Sequence, residues 1–119
     1  DSAVPFTLRS AHIFVRDLPA ARRFYVDLLG MPLDFESDGY LGLNTGTCGL
    51  MVFADPSKSQ EPTSTCLHFG VADITATFER LSSAGVQFSG RPEKHDWGGI
   101  MVGFSDSDGN VLHLVQYPS

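Results

Sequence analysis

Two stretches of this chain say the same thing 56 residues apart. Ala11-His12-Ile13-Phe14-Val15-Arg16-Asp17 leads into an apolar run from Leu18 to Leu29 and stops at Gly30, while Leu67-His68-Phe69-Gly70-Val71-Ala72-Asp73 leads into Ile74 to Ala84 and stops at Gly85. Histidine and aspartate recur after 56 residues and glycine after 55. A period of that size means one supersecondary unit used twice. Each copy opens with a β-branched and aromatic strand. An aspartate then sits where a helix N-cap belongs, because its carboxylate can accept N–H bonds from the first turn and suits the positive helix end. Pro19 falls in the first turn, where its missing N–H costs little. Leu18, Ala21, Tyr25 and Leu28 share one helical face, as do Ile74, Phe78 and Leu81. Gly30 and Gly85 can take the left-handed conformation that ends a helix.

After each helix come short extended runs separated by turn residues. They are Pro32 to Glu36, Tyr40 to Leu43 and Gly49 to Phe53, then Val86 to Ser89, Gly99 to Phe104 and Val111 to Gln116. The expected architecture is α+β: two βαβββ modules forming a curled mixed sheet around a cavity, with helices on the outer face. The 119 residues suit a single domain. Module 1 is expected at about residues 7–54, a Pro-containing linker at 55–63 and module 2 at about 64–117.

Strand parity sorts the side chains into two faces. Ile13 and Val15 share one face, and His12, Phe14 and Arg16 the other. Phe69 and Val71 match the apolar pair in the second copy, where His68 matches His12. Leu112 and Leu114 form the apolar pair of the last strand, opposite His113 and Val115. The aliphatic face is expected against the helices. That leaves His12, His68 and His113, three of the four histidines, on the concave side. Three imidazoles on separate strands can converge on a divalent metal with a position left open, the mark of a catalytic site. Each of the three can equally be a polar strand residue satisfied by its neighbours. The fourth, His95, lies in a loop of mixed charge from Arg91 to Gly98 and reads as a rim residue. Cys66 shares the face of His68 and reads best as a small buried hydrophobe. Asp106-Ser107-Asp108-Gly109-Asn110 begins like a calcium loop, but Tyr117 stands where its twelfth-position glutamate is needed, so a tight turn is expected.

Composition excludes several partners. Eight Lys+Arg against fourteen Asp+Glu give a net charge of −6, which argues against nucleic acid. No run reaches the roughly 18 apolar residues of a membrane span. Two cysteines, Cys48 and Cys66, make no disulfide framework, and with no leader-like opening a cytoplasmic location is expected.

Taken together, His12…Asp17-Leu18…Phe24-Tyr25…Leu28-Leu29-Gly30-Met31, the second-half His68…Val71…Asp73, and Trp97-Gly98…Phe104-Ser105-Asp106-Ser107-Asp108-Gly109-Asn110-Val111-Leu112-His113-Leu114 resemble the vicinal oxygen chelate superfamily. Glyoxalase I, extradiol dioxygenases, and fosfomycin- and bleomycin-resistance proteins belong to it. The resemblance implies metal ligands at His12, His68 and His113, the last where a glutamate usually stands. It implies a divalent cofactor (Zn, Fe, Mn, Ni or Co) and a metal-dependent lyase, dioxygenase or transferase acting on a small oxygen-rich ligand by bidentate chelation. Leu50 is read as the place of a second carboxylate, so glyoxalase I activity is disfavoured. The alternative is a metal-free drug-binding protein of the bleomycin-resistance type, for which the acidic charge is suited. Phe14, Arg16, Tyr40, Trp97 and Met101 are the expected substrate contacts, and a homodimer is implied.

Overall fold

The computed structural model describes residues 10–58 and 67–118. The chain divides into two compact units, Asp1–Lys58 and Ser59–Ser119. Unit 1 contains β1 (Ser10–Val15), α1 (Leu18–Arg22) continued by a π-helical segment (Arg23–Leu28), β2 (Leu33–Glu36), β3 (Tyr40–Asn44) and β4 (Gly49–Ala54). Unit 2 contains β5 (Leu67–Gly70), α2 (Ile74–Ser83), β6 (Gln87–Phe88), β7 (Glu93–Lys94), β8 (Ile100–Ser105) and β9 (Val111–Gln116). The α+β class is as read from the sequence, and unit 1 has the expected βαβββ order; unit 2 adds to it the two-residue β7, which the sequence reading did not include. Each unit has its own mixed sheet among the described residues, in the orders β1-β4-β3-β2 and β5-β9-β8-β6, with β7 an additional partner of β8. The outer part of the linker, the first residues of module 1 and Cys66 lie outside the described residues.

Both helix starts follow the aspartates. The Asp17 carboxylate accepts from Ala20 N at 3.0 Å and that of Asp73 from Ala76 N at 3.1 Å, each bond worth about 1 kcal/mol of helix stability. Gly30 and Gly85 have φ of 80° and 100°, the left-handed values that only glycine adopts without strain. α2 is also fastened from the last strand, where Gln116 Oε1 accepts from Ile74 N at 2.8 Å.

The first helix departs from its expected face. Leu29 N donates to Phe24 O at 2.9 Å, a five-residue step that widens the last turns. Consecutive Phe24 and Tyr25 are thereby both buried, edge to face at 5.1 Å, while Leu28 is only half-buried. A uniform 3.6-residue period places Leu28 inward in place of Phe24, and the wider turn overrides it.

In unit 1, α1 packs on β4, and Ile13, Val15, Leu41, Leu43, Leu50 and Val52 are buried with Leu18 and Ala21. In unit 2, α2 packs on β9, and Leu112, Leu114, Val102 and Phe104 are buried with Ile74 and Leu81. Phe69 and Val71 are half-buried, less covered than Ile13 and Val15; both first strands lie at a sheet edge, but β5 has four residues where β1 has six. Val115 is buried although parity puts it on the His113 face.

The Asp106–Asn110 segment is the expected tight turn. Asp106 Oδ1 accepts from Asp108 N at 2.8 Å and Asn110 N at 2.9 Å, and its other oxygen accepts from Asn110 Nδ2 at 2.9 Å. No helix among the described residues is long and apolar enough to cross a membrane.

Candidate functional site

The face of unit 1 turned away from its core is aromatic. β1 and β4 run parallel in a register that sets His12 beside Met51 and Phe14 beside Phe53, and β3 sets Tyr40 against Phe53. Phe53 is the hub: its ring centroid lies 5.0 Å from His12, 5.8 Å from Phe14 and 5.8 Å from Tyr40. Phe35 extends the layer edge-on to Tyr40 at 6.0 Å. The far end of its ring lies over Gly42, where a Cβ would come within 2.3 Å of it. Phe14 and Phe35 are nonetheless 48% and 51% exposed. A connected apolar layer left half in water marks a surface built to be covered. Asp34, Glu36 and Asp38 lie exposed along β2 and its turn, with Glu36 held at 3.2 Å by Arg22.

The corresponding face of unit 2 is polar. β5 and β9 run parallel with His68 and His113 as register partners, their ring centroids 5.1 Å apart. Burial, and then the nearby His68, lowers the pKa of His113 from the usual 6.5, so its imidazole is neutral at pH 7 and able to coordinate or accept a bond. A groove of about 260 Å³ beside it is lined by Ser89, Arg91, Glu93, His95, Met101 and Gly103, among others. Among the described residues no three His, Cys, Asp or Glu side chains gather as a metal-ligand group.

The expected site residues therefore fall into three places. His12, Phe14 and Tyr40 meet through Phe53; Met101 shares a groove with His113; Trp97, 50% exposed, lies instead against exposed Tyr117, the rings tilted and 5.9 Å apart. Arg16 lies exposed just beyond β1. Phe53, Phe35 and Glu93 were not read as site residues from the sequence, whereas His95, read as a rim residue, lines the groove. Parity along β4 would have found Phe53, since Leu50 and Val52 are its inward pair and Met51 and Phe53 its outward one.

The sequence model of the Glyoxalase/Bleomycin resistance protein/Dioxygenase superfamily matches residues 7–114. The chain belongs to that superfamily. It is similar to a Bleomycin resistance protein of Klebsiella pneumoniae, 32% identical over 110 residues that cover 85% of each chain. An uncharacterised Bacillus subtilis protein, YetH, is 30% identical over 114 residues, covering 87% of this chain and 92% of its own. Among solved structures, a bleomycin resistance determinant encoded on transposon Tn5 superposes with a TM-score of 0.78 at 25% identity, covering 94% of this chain and 98% of the other. A Sphaerobacter thermophilus superfamily member gives 0.79 at 27%, covering 95% and 98%.

For a superfamily built on a repeat, the strand registers show which residues are equivalent. His12 pairs with Met51 as His68 pairs with His113. The unit 1 equivalent of His113 is thus Met51. Leu50, read from the sequence as a lost carboxylate position, faces the core at 2% exposure.

Proposed function

We propose that the protein is a small-molecule-binding member of the superfamily, taking a flat ligand with a cationic group on the aromatic face of unit 1. The observation that carries this reading is the exposed layer centred on Phe53. Flat rings stack on such a layer, and a cation is attracted to ring faces by roughly 0.5–2 kcal/mol each. The net charge of −6 favours the approach of a cation at low salt. The Bleomycin resistance protein relative supports a drug-like ligand; in this reading the binder is a cytoplasmic homodimer. Calorimetric titration with bleomycin tests this. Wild type is expected to bind, and Phe53→Ala to weaken binding at least about tenfold, the loss of about 1.4 kcal/mol. No binding, or equal affinity in both proteins, overturns it.

A second reading, a metal-dependent enzyme on a small oxygen-rich substrate, is favoured by the register-paired His68 and His113. These two fit a divalent ion (Zn, Fe, Mn, Ni or Co) as neutral donors, with His12 the third donor that the superfamily resemblance implies. When bound, the ion supplies Lewis acidity. His113 stays deprotonated for it because burial disfavours the imidazolium. Metal titrated into wild type and His113→Ala separates the readings: strong binding lost in the variant supports the second, and equal binding ends it.

A further inference from the structure

Gly42 and Gly103 hold equivalent places in the two units. Gly42 is the register partner of Met51 and Gly103 of His113. Over Gly42 lies the ring of Phe35. Over Gly103, the atoms nearest to where a Cβ would stand are Ser89 Oγ at 3.0 Å and His113 Nε2 at 3.4 Å. Ser89 takes the part that Phe35 takes in unit 1, since its N–H donates to Gly103 O at 2.9 Å. Its hydroxyl donates to the same carbonyl at 3.2 Å, which leaves the lone pairs of Oγ as acceptors. Gly103 does not have the positive φ that would require glycine for the backbone alone. A side chain there would crowd both groups, so the bare Cα is what lets Ser89 Oγ and His113 Nε2 come this close to the strand. Two grooves, of about 260 Å³ and 200 Å³, both reach Ser89, Gly103 and His113.

We propose that Ser89, Gly103 and His113 form a hydroxyl-binding subsite for small polyhydroxylated ligands. An alcohol group seated on the bare Cα of Gly103 donates to Ser89 Oγ and bonds to His113 Nε2. A hydroxyl suits this pair because it is donor and acceptor at once, and a neutral imidazole offers one of each role. A bare carboxylate suits it less, since Ser89 Oγ already spends its proton on Gly103 O. Along the larger groove Arg91, Glu93 and His95 offer further hydrogen-bonding partners to neighbouring hydroxyls. The subsite is independent of the aromatic-face reading, whose failure would leave it standing.

The test is a titration of the full chain with glycerol, followed by amide and imidazole NMR signals, with acetate as the anionic control. Saturable shifts at Ser89, Gly103 and His113 are expected with glycerol and weaker ones with acetate. Gly103→Ala, whose methyl fills the notch, is expected to abolish saturation. Ser89→Ala, which removes the acceptor and needs no rearrangement of the strand, is expected to weaken binding at least about threefold. Non-saturating shifts in wild type, acetate binding as well as glycerol, or an unchanged response in Ser89→Ala would each overturn the proposal.

Discussion

The two units share a frame and differ in what they display on it. Both have an aspartate cap, a glycine stop, a parallel pairing of first and last strands, and aliphatic residues turned to a helix. On the opposite face, unit 1 places Met51, Phe53 and Phe35 where unit 2 places His113, Val115 and Ser89. One copy is thereby a stacking surface and the other a polar groove. The core side of a duplicated module is held fixed by packing, where a single methylene is felt. The outer side carries no such constraint, so the copies diverged in chemistry there and not in shape.

If the frame is shared, damage to it should cost the same in both copies. Leu50 and Leu112 are equivalent inward residues, 2% and 1% exposed. Either one changed to alanine is expected to lose about 2–5 kcal/mol of stability, read from urea midpoints. A difference larger than that spread between the two would break the equivalence.

If the faces differ as described, the two glycines should not respond alike. Gly42→Ala drives a methyl into the Phe35 ring at 2.3 Å, whereas Gly103→Ala meets Ser89 Oγ at 3.0 Å. The first is expected to cost about 1–3 kcal/mol as the ring is displaced, and the second less than about 1 kcal/mol, since a hydroxyl can rotate aside. Thermal melts of both variants check the order. The caps come next in size: Asp17→Ala and Asp73→Ala are each expected to cost about 1 kcal/mol.

The smallest effect is pH dependence, and it belongs to unit 2. His113 has its pKa lowered from 6.5 by burial and by His68. As pH falls below that value the unfolded chain takes up its proton first, so stability is full above it and declines down to the lowered native value. His113→Gln should flatten the decline in urea melts. An unchanged slope in that variant would assign the dependence to other groups.

The frame was legible because its signals are local. Asp17 and Asp73 bond within their own first turns, and Gly30 and Gly85 act on their own backbone. Parity, which is also local, was enough to set His12, His68 and His113 off the buried aliphatic face, and it carries no information on whether they meet. What escaped depends on partners distant in sequence. Leu50 was taken for Met51's place because only the β1–β4 register decides which residue stands beside His12. The π-helical turn escaped because nothing in the spacing of Arg23 to Leu28 departs from an ordinary helix. Glu93 escaped because the two-residue β7 that carries it exists only through its pairing with β8.

The parallel pairing of β5 with β9 also bears on how the chain is expected to fold. His68 and His113 are adjacent in space but lie near opposite ends of unit 2 in sequence, so their strands meet only after a long loop closes, a step that local hairpins such as β8–β9 do not need. A ligand that grips both imidazoles holds the contact expected to form last in folding. Such a ligand would slow unfolding by up to the full factor that its affinity and concentration set, while leaving the folding rate almost unchanged.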